Sequence, residues 1–148
     1  MIRQAVTEDV SEIRDCAVKA YRRYVSLIGQ KPAPMIADFA KQIADGSVYV
    51  AADGDGILQG FIVFYPENGS IFLENVAVMP HAAGHGIGKS LIFFCEDQAR
   101  QLGFNAVTLY TNEKMIENIL IYLKLGYVET GRRTEHGFKR IFFEKSLL

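Results

Sequence analysis

Cysteine, histidine and tryptophan are scarce in this sequence. Its 148 residues include two cysteines, Cys16 and Cys95, three histidines and no tryptophan. The cysteines lack the paired spacing of a zinc site and are too few for a disulfide scaffold, so both are predicted to be core thiols. The histidines (His81, His85 and His136) share no ligand-like spacing. We therefore expect the chemistry of this protein to proceed without a metal.

An excess of positive charge and a long apolar run are also missing. Sixteen Lys and Arg stand against 17 Asp and Glu, for a net charge of -1, so no global field attracts nucleic acid or an anionic membrane. No apolar run approaches the ~18 residues of a membrane span, and residues 1–9 do not resemble a signal peptide. The sequence predicts a cytoplasmic protein with neither nucleic acid nor membrane as a partner.

The composition that remains is typical of one folded domain. Apolar residues make up 49% of the chain and charged residues 22%, and a chain of this length can bury a substantial core. Hydrophobic periodicity predicts a mixed sheet with helices, an α/β fold in which an antiparallel meander is followed by a βαβ crossover and a C-terminal strand pair. The predicted elements are a strand at 2–6, a helix from an N-cap at Thr7 to Gly29, a short helix at 35–44, strands at 48–52, 57–65 and 71–78, a helix at 86–103, a strand at 106–110, a helix from an N-cap at Asn112 to Gly126 with an apolar stripe of Ile116, Ile119, Leu120 and Leu123, and strands at 127–130 and 138–143.

The stretch from Val76 to Leu91 is the richest in chemistry. A strand leads through a short loop into a helix, and the loop carries glycines at alternating positions, Gly84, Gly86 and Gly88. Glycines let the main chain approach a ligand closely. The free N–H groups and dipole of the following helix favour an anion such as a pyrophosphate. The pattern therefore predicts an anion cradle built from main chain.

Two other phosphate motifs fit this stretch less well. Gly88-Lys89-Ser90 matches the end of a Walker A loop, but the first glycine of that motif would fall at Ala83. A dinucleotide-binding fingerprint beginning at Gly84 would require glycine at Lys89. A glycine-rich surface turn without a ligand is the remaining alternative.

Two motifs together resemble the GNAT superfamily of acyl-CoA-dependent N-acetyltransferases. Val-Ala-Val-x-Pro at 76–80 followed by Gly-x-Gly-Ile-Gly at 84–88 is similar to its acyl-CoA-binding motif. Tyr-x-x-x-Gly-Tyr at 122–127 is similar to the signature at its last helix. The predicted element order also agrees over essentially the whole chain. The resemblance implies a single domain over 1–148 that transfers an acetyl group from acetyl-CoA to a primary amine of a small molecule or peptide, by direct attack in a ternary complex.

The resemblance also implies the residues that bind the cosubstrate. The strand holding Val76 to Val78 would diverge from the next strand and pair with the pantetheine arm, and the Val78 N–H or a neighbour would polarise the thioester carbonyl. The family usually has Gln or Arg at Ala83 and Asn at Met115, so Asn112 or Asn118 is expected to supply the missing amide. The predicted acetyl-CoA contacts are Val76, Ala77, Val78, Ala83, Gly84, His85, Gly86, Ile87, Gly88, Lys89, Asn112 and Asn118.

Two side chains are candidates for proton transfer. Tyr122 matches the family's proton donor to the departing thiolate, and its alternative role is packing on the helix flank. Glu74 is a charged residue in an apolar strand, where the family often carries a base that deprotonates the amine. Alternation predicts that it shares a sheet face with Val76 and Val78. Its alternatives are an exposed carboxylate, or one that only binds the ammonium.

The acceptor is left open by the sequence. In the family, acceptor specificity usually resides in the first helices and their connection, here residues 21–24 and 31–35, although a solvated helix face explains these residues equally well. A homodimer is compatible with the sequence. The rival hypothesis to an active enzyme is a domain that binds acyl-CoA without turnover, for a regulatory purpose.

Overall fold

The computed structural model describes residues 1–148 and contains one seven-stranded sheet with helices on both faces. None of its helices has the length and apolar character to span a membrane. The elements in chain order are β1 (Ile2–Gln4), α1 (Val10–Ile28), α2 (Phe39–Ala44), β2 (Val48–Ala52), β3 (Leu58–Glu67), β4 (Ser70–Val78), α3 (Ile87–Gln101), β5 (Ala106–Asn112), α4 (Ile116–Lys124), β6 (Val128–Glu135) and β7 (Phe138–Ser146).

The strand order is β1-β2-β3-β4-β5-β7-β6. Strands β1 to β4 form antiparallel neighbours, as do β5, β7 and β6, while β4 and β5 are parallel and joined through α3. The β6–β7 turn places His136 and Gly137 at φ 52° and 81°, the paired positive values of the tight turns that suit the twist of a hairpin. The predicted meander, crossover and terminal strand pair are therefore confirmed.

Two apolar layers cover the two faces of the sheet. Helices α1 and α2 pack on one face, where Cys16 is fully buried, and α3 and α4 pack on the other, where Cys95 is fully buried. Both cysteines are free core thiols, as predicted. Burial raises the pKa of the Cys16 thiol to about 12 and also raises that of Cys95. Because the thiolate is the reactive form, neither cysteine is a nucleophile at neutral pH.

Two predicted helix starts differ from the structure. Thr7 makes no capping hydrogen bond. Instead, the Asp9 carboxylate accepts from the Val6 N–H and the Arg3 guanidinium, and α1 begins at the next residue, Val10. The second helix begins at Phe39 instead of at 35, because the Asp38 side chain caps it by accepting from the N–H of residue 41.

The last helix and last two strands also differ from the sequence prediction. Asn112 is the final residue of β5, and α4 begins at Ile116. The apolar stripe predicted for this helix is largely exposed, with Ile116 at 63%, Leu120 at 54% and Leu123 at 49%. Tyr122 is the buried residue of α4. Apolar side chains occur all around this helix, so periodicity alone could not select its buried face. Strands β6 and β7 each extend beyond their predicted ends.

Candidate active site

Strands β4 and β5 pair only at one end. Their ladder contains two residue pairs, Ile71 with Val107 and Phe72 with Thr108. The two strands separate beyond these pairs, although β4 continues to Val78. A wedge-shaped gap therefore opens in the middle of the sheet.

The main chain of β4 presents peptide groups to this gap. The Met79 N–H donates to the Gln59 carbonyl of β3 at 2.8 Å. Because peptide direction alternates along an antiparallel strand, the peptide groups of Val76 and Val78 face away from β3 and toward the gap. The Val76 carbonyl there accepts from the Tyr21 hydroxyl at 2.9 Å. The remaining groups are available to pair with an extended ligand, which would remove the cost of leaving them unsatisfied.

A glycine on β3 lets α3 approach the sheet beside this gap. A methyl group at Gly60 would lie 2.6 Å from the Ala77 carbonyl oxygen and 3.4 Å from the side chains of Ile87 and Leu91. No side chain larger than hydrogen fits at this separation. The first turn of α3 consequently lies next to the carboxyl end of β4.

The N-terminus of α3 forms the cradle predicted from the glycines. Gly86 is the N-cap residue, with φ 77° in the left-handed region and no side chain to cap the helix. The first N–H groups of a helix have no partner within the helix. The space beside the Gly86 α-carbon is open, with no atom within 4 Å of a Cβ built there. Unsatisfied amides, the helix dipole and this open space together fit a pyrophosphate.

A groove extends from this cradle to α4 and is strongly basic. Five cationic side chains and a single carboxylate, that of Glu117, line it. Arg23 of α1 forms a salt bridge with Glu117 of α4, and the Tyr24 hydroxyl donates to the same carboxylate, so they connect the two helices at the groove. The local charge therefore suits a polyanionic ligand although the whole chain has a net charge of -1. The cationic residues are Lys19, Arg22, Arg23, Lys89 and Lys124.

The predicted face of Glu74 is wrong because β4 contains a β-bulge. Asn75 pairs with Val63 and Leu73 pairs with Phe64, which leaves Glu74 without a partner on β3. An extra residue reverses the alternation of faces along a strand. Glu74 consequently lies on the face covered by α1 and α2, whereas Val76 packs against the core on the α3 side.

Hydrogen bonds hold both carboxylate oxygens of Glu74. One oxygen accepts from Gln42 Nε2 of α2, and the other accepts from the Tyr65 hydroxyl at 2.8 Å. Burial raises the pKa of the Tyr65 hydroxyl, and its hydrogen bond to Glu74 raises it further. A carboxylate can accept about four hydrogen bonds, so Glu74 keeps sites for a further donor. Gln42 Oε1 is buried without a partner.

The Tyr122 side chain is buried among aromatic rings but its hydroxyl has no protein acceptor. Its ring packs against Tyr127 and Phe143, with centroids at 5.8 and 6.2 Å. Burial raises the pKa of this phenol, with a smaller contribution from Cys95, and no hydrogen bond affects it. The hydroxyl therefore stays protonated over the working pH range and is free to donate.

Tyr122 lies where two cavities meet. A smaller pocket adjoins the groove from the α1 and α2 side, and four residues line both spaces: Tyr21, Val76, Asn118 and Tyr122. Glu74 lines only the smaller pocket and not the groove. The arrangement can hold a long anionic ligand on one side and a small ligand on the other, with a proton donor between them.

Comparison with known families agrees with this geometry. The model of the Acetyltransferase (GNAT) family matches residues 8–127. The chain belongs to the GNAT acetyltransferase family. It is 28% identical over 134 residues to the uncharacterized N-acetyltransferase YhfO of Bacillus subtilis, covering 86% of this chain and 89% of that protein. The chain spans about half to two thirds of three other curated relatives, between 48 and 63% of their length.

Solved GNAT structures share the whole fold. Ard1 from Thermoplasma volcanium superposes with a TM-score of 0.79 at 20% identity, covering 100% of this chain and 97% of that one. The PaiA N-acetyltransferase from Thermoplasma acidophilum, solved in complex with coenzyme A, gives 0.77 at 17% identity, covering 99% and 98%. These similarities confirm the predicted fold class.

Most residues that the GNAT motifs predicted for acetyl-CoA line the groove. The one exception among residues 83–89 is His85, which is exposed and lies outside the groove lining. Asn112 lines the smaller pocket instead, and its side-chain oxygen accepts from the Lys114 N–H. Asn118 lines both spaces. Its amide also faces the Met115 sulfur at 3.8 Å, so Asn118 is the better placed of the two proposed replacements. The groove residues are Val76, Ala77, Val78, Ala83, Gly84, Gly86, Ile87, Gly88 and Lys89.

Two residues of this GNAT site, Asn75 and Arg140, were missed by the sequence reasoning. Asn75 is buried and accepts from the Tyr21 hydroxyl at 2.7 Å while donating to the Pro34 carbonyl at 2.9 Å. These bonds fix the segment after α1 against β4. Arg140 of β7 lines the smaller pocket. For Asn75 the available signal was an amide inside a largely apolar strand, whereas Arg140 follows Lys139 and carries no such signal in the sequence.

Proposed function

We propose that this protein transfers an acetyl group from acetyl-CoA directly to the primary amine of a small molecule or peptide within a ternary complex. The observation that carries the proposal is the meeting of two differently built spaces at Tyr122: a basic groove with a main-chain anion cradle, and a pocket containing Glu74. Release of CoA thiol that depends on an added amine tests it.

The cosubstrate would supply an activated acetyl group as its thioester. The residues present fit its binding, because the open space at Gly86 suits the pyrophosphate and the outward peptide groups of Val76 and Val78 suit the amide-rich pantetheine arm. An N–H group aimed at the thioester oxygen stabilises the negative charge that develops there. We assign that donor role to the β4 main chain at Val76 or Val78.

Proton transfer is divided between the two sides of the site. Tyr122 donates to the sulfur that departs on the groove side, since its hydroxyl has no protein acceptor and burial keeps it protonated. Glu74 accepts the proton that the ammonium must lose before attack, directly or through a water molecule. Gln42 and Tyr65 hold its carboxylate in one orientation for this task.

Direct transfer is favoured over an acyl-enzyme route by the lining of the site. Neither cysteine lines the groove or the pocket, and burial raises the pKa of both thiols. No activated thiol is therefore at hand to take the acetyl group first.

Replacing Glu74 with Gln should lower kcat/KM at neutral pH by about 100-fold, near the lower end of what a lost general base costs. The deficit should shrink as the pH approaches the pKa of the acceptor amine, about 8 for a peptide N-terminus and about 10 for an alkylamine, because the amine then deprotonates unaided. The variant should fold, since Gln42 can turn its unpartnered Oε1 toward the new amide. The measurement is the pH profile of kcat/KM for both proteins.

A matched control for this experiment is Glu67→Gln. Glu67 is an exposed carboxylate at the end of β3 and lies outside the pocket lining. Its variant should keep the wild-type pH profile. If the profile of Glu74→Gln also overlays that of the wild type, Glu74 is not the base.

A further inference from the structure

We infer that the acceptor of this enzyme carries a carboxylate as well as an amine, and that Arg140 binds this carboxylate. The inference rests on the proposed acetyl transfer and adds to it the substrate class. The charges of the smaller pocket support it. Of its 16 lining residues only two are charged, and they have opposite signs, Glu74 and Arg140. A ligand that is itself a zwitterion matches such a pair.

Arg140 is a buried cation with most of its donors unused. Its side chain is 10% exposed, and Nη1 donates to Glu135 Oε1 at 3.1 Å. A guanidinium has five N–H donors in a planar fork. Glu135 takes one of them and leaves the Nε and Nη2 edge without a protein acceptor. These donors are not among the fully buried, unpartnered atoms, and Arg140 lines the pocket, so the unused edge faces open space in which an anionic ligand can bind it.

Aromatic rings fix the orientation of this guanidinium. It lies over the Tyr110 ring at 4.4 Å and near the Phe138 ring at 5.2 Å. Stacking of its flat faces leaves the edges of the fork for hydrogen bonding, and a carboxylate matches such an edge with two parallel bonds. Lysine in this place would lose both the stacking and the paired bonds.

Tyr110 lies between the two charges. Burial raises its pKa, Arg140 acts to lower it and Glu74 acts to raise it, so both charges act on this phenol. The strand order places β5 between β4, which carries Glu74, and β7, which carries Arg140. Two strand spacings correspond to about 10 Å between backbones, and the separation of β4 from β5 beyond Phe72 widens this span at Glu74. Two inward side chains and a short zwitterion can fill it. Apolar walls from Leu73 and Met115 complete the pocket.

The test compares amino acids with their own amides as acceptors. Leucine, phenylalanine and 4-aminobutyrate are each paired with leucinamide, phenylalaninamide and 4-aminobutyramide, which keep the amine and remove the negative charge. In the wild type, kcat/KM should favour the acid in at least one pair. Arg140→Gln should lower kcat/KM for that acid by roughly 10- to 100-fold, the loss expected for hydrogen bonds to a charged group, mainly through KM. The same variant should change kcat/KM for the amide by less than about threefold. Arg140→Lys should recover only part of the preference for the acid over the amide.

The control is Arg133→Gln. Arg133 pairs with Arg140 across β6 and β7 and stacks on Phe142 at 4.0 Å, but it is exposed and outside the pocket lining. Its variant should keep the wild-type ratio between acid and amide. If Arg140→Gln lowers kcat/KM equally for the acid and for the amide, Arg140 only supports the hairpin and the inference is overturned.

A binding measurement separates this inference from the proposed function. Calorimetric titration of each acid and amide into the protein saturated with CoA needs no turnover. Tighter binding of an acid than of its amide, abolished in Arg140→Gln, supports the carboxylate site even if no acetyl transfer occurs. Equal binding within every pair, or no binding by any of the acids, overturns it even if amines are acetylated.

Discussion

Tyr122→Phe is expected to reduce kcat by roughly 100- to 10,000-fold while leaving the affinity for acetyl-CoA nearly unchanged, because the ring stays and only the transferable proton is lost. The melting temperature should stay the same or rise slightly. The hydroxyl has no protein acceptor to lose and opens to the two cavities, so its removal breaks no hydrogen bond within the fold. Burial raises the pKa of this phenol above its ordinary value of about 10. Wild-type activity should therefore show no loss from its deprotonation as the pH rises to 10.

The matched control is Tyr127→Phe, which removes the hydroxyl from the neighbouring ring. Tyr127 donates to buried Glu96 at 3.0 Å, and Lys145 also contacts that carboxylate at 2.9 Å. Its variant should lose stability, since a buried charged acceptor loses a donor, but should keep its turnover. A Tyr122→Phe enzyme with full turnover, harmed only by Tyr122→Ala, would assign Tyr122 to packing.

Gly86→Val is expected to abolish the stabilisation of the protein by acetyl-CoA. At 100 times its dissociation constant, acetyl-CoA should stabilise the wild type by about 2.7 kcal/mol, which corresponds to roughly 5–10 °C in melting temperature. Gly86 has φ 77°, and the space beside it is open. A valine side chain would occupy the place of the pyrophosphate. Thermal denaturation with and without acetyl-CoA measures the effect.

Backbone strain must be separated from this loss of binding. A valine in the left-handed region costs about 1–2 kcal/mol wherever it is placed. Gly103 follows the other end of α3, has φ 85° and is equally unobstructed. Gly103→Val should therefore lower the melting temperature to a similar degree but retain the shift with acetyl-CoA. If Gly86→Val retains the shift as well, the cradle does not bind the cosubstrate there.

The cradle was predictable because its chemistry lies in the main chain and in consecutive residues. Alternating glycines after a strand indicate an anion cradle at the start of the helix, and the structure places Gly86 at the N-cap with a positive φ. The loss of the usual Gln or Arg at Ala83 did not obscure this, since the helix amides remain.

The location of Glu74 was not predictable from its own strand. Local alternation assumes an unbroken ladder, and the bulge depends on how β3 and β4 pair. The same limit applies to α4, where apolar residues on every side hid the buried position of Tyr122. The placement of Glu74 and Arg140 in one pocket was also not predictable from the sequence. It depends on β7 entering the sheet between β5 and β6, and the two residues are far apart in the chain.

The measurement that tests the central claim most directly is CoA thiol release from acetyl-CoA by the wild type and by Tyr122→Phe, with and without an amine acceptor. Polyamines, aminoglycosides and N-terminal peptides join the amino acid and amide pairs in the panel. We predict thiol release by the wild type that requires an amine and is accompanied by the acetylated amine in equal amount, and its near loss in Tyr122→Phe. An acetyl-CoA thermal shift without amine-dependent release for any acceptor would contradict the account, and would instead support a domain that binds acyl-CoA without turnover.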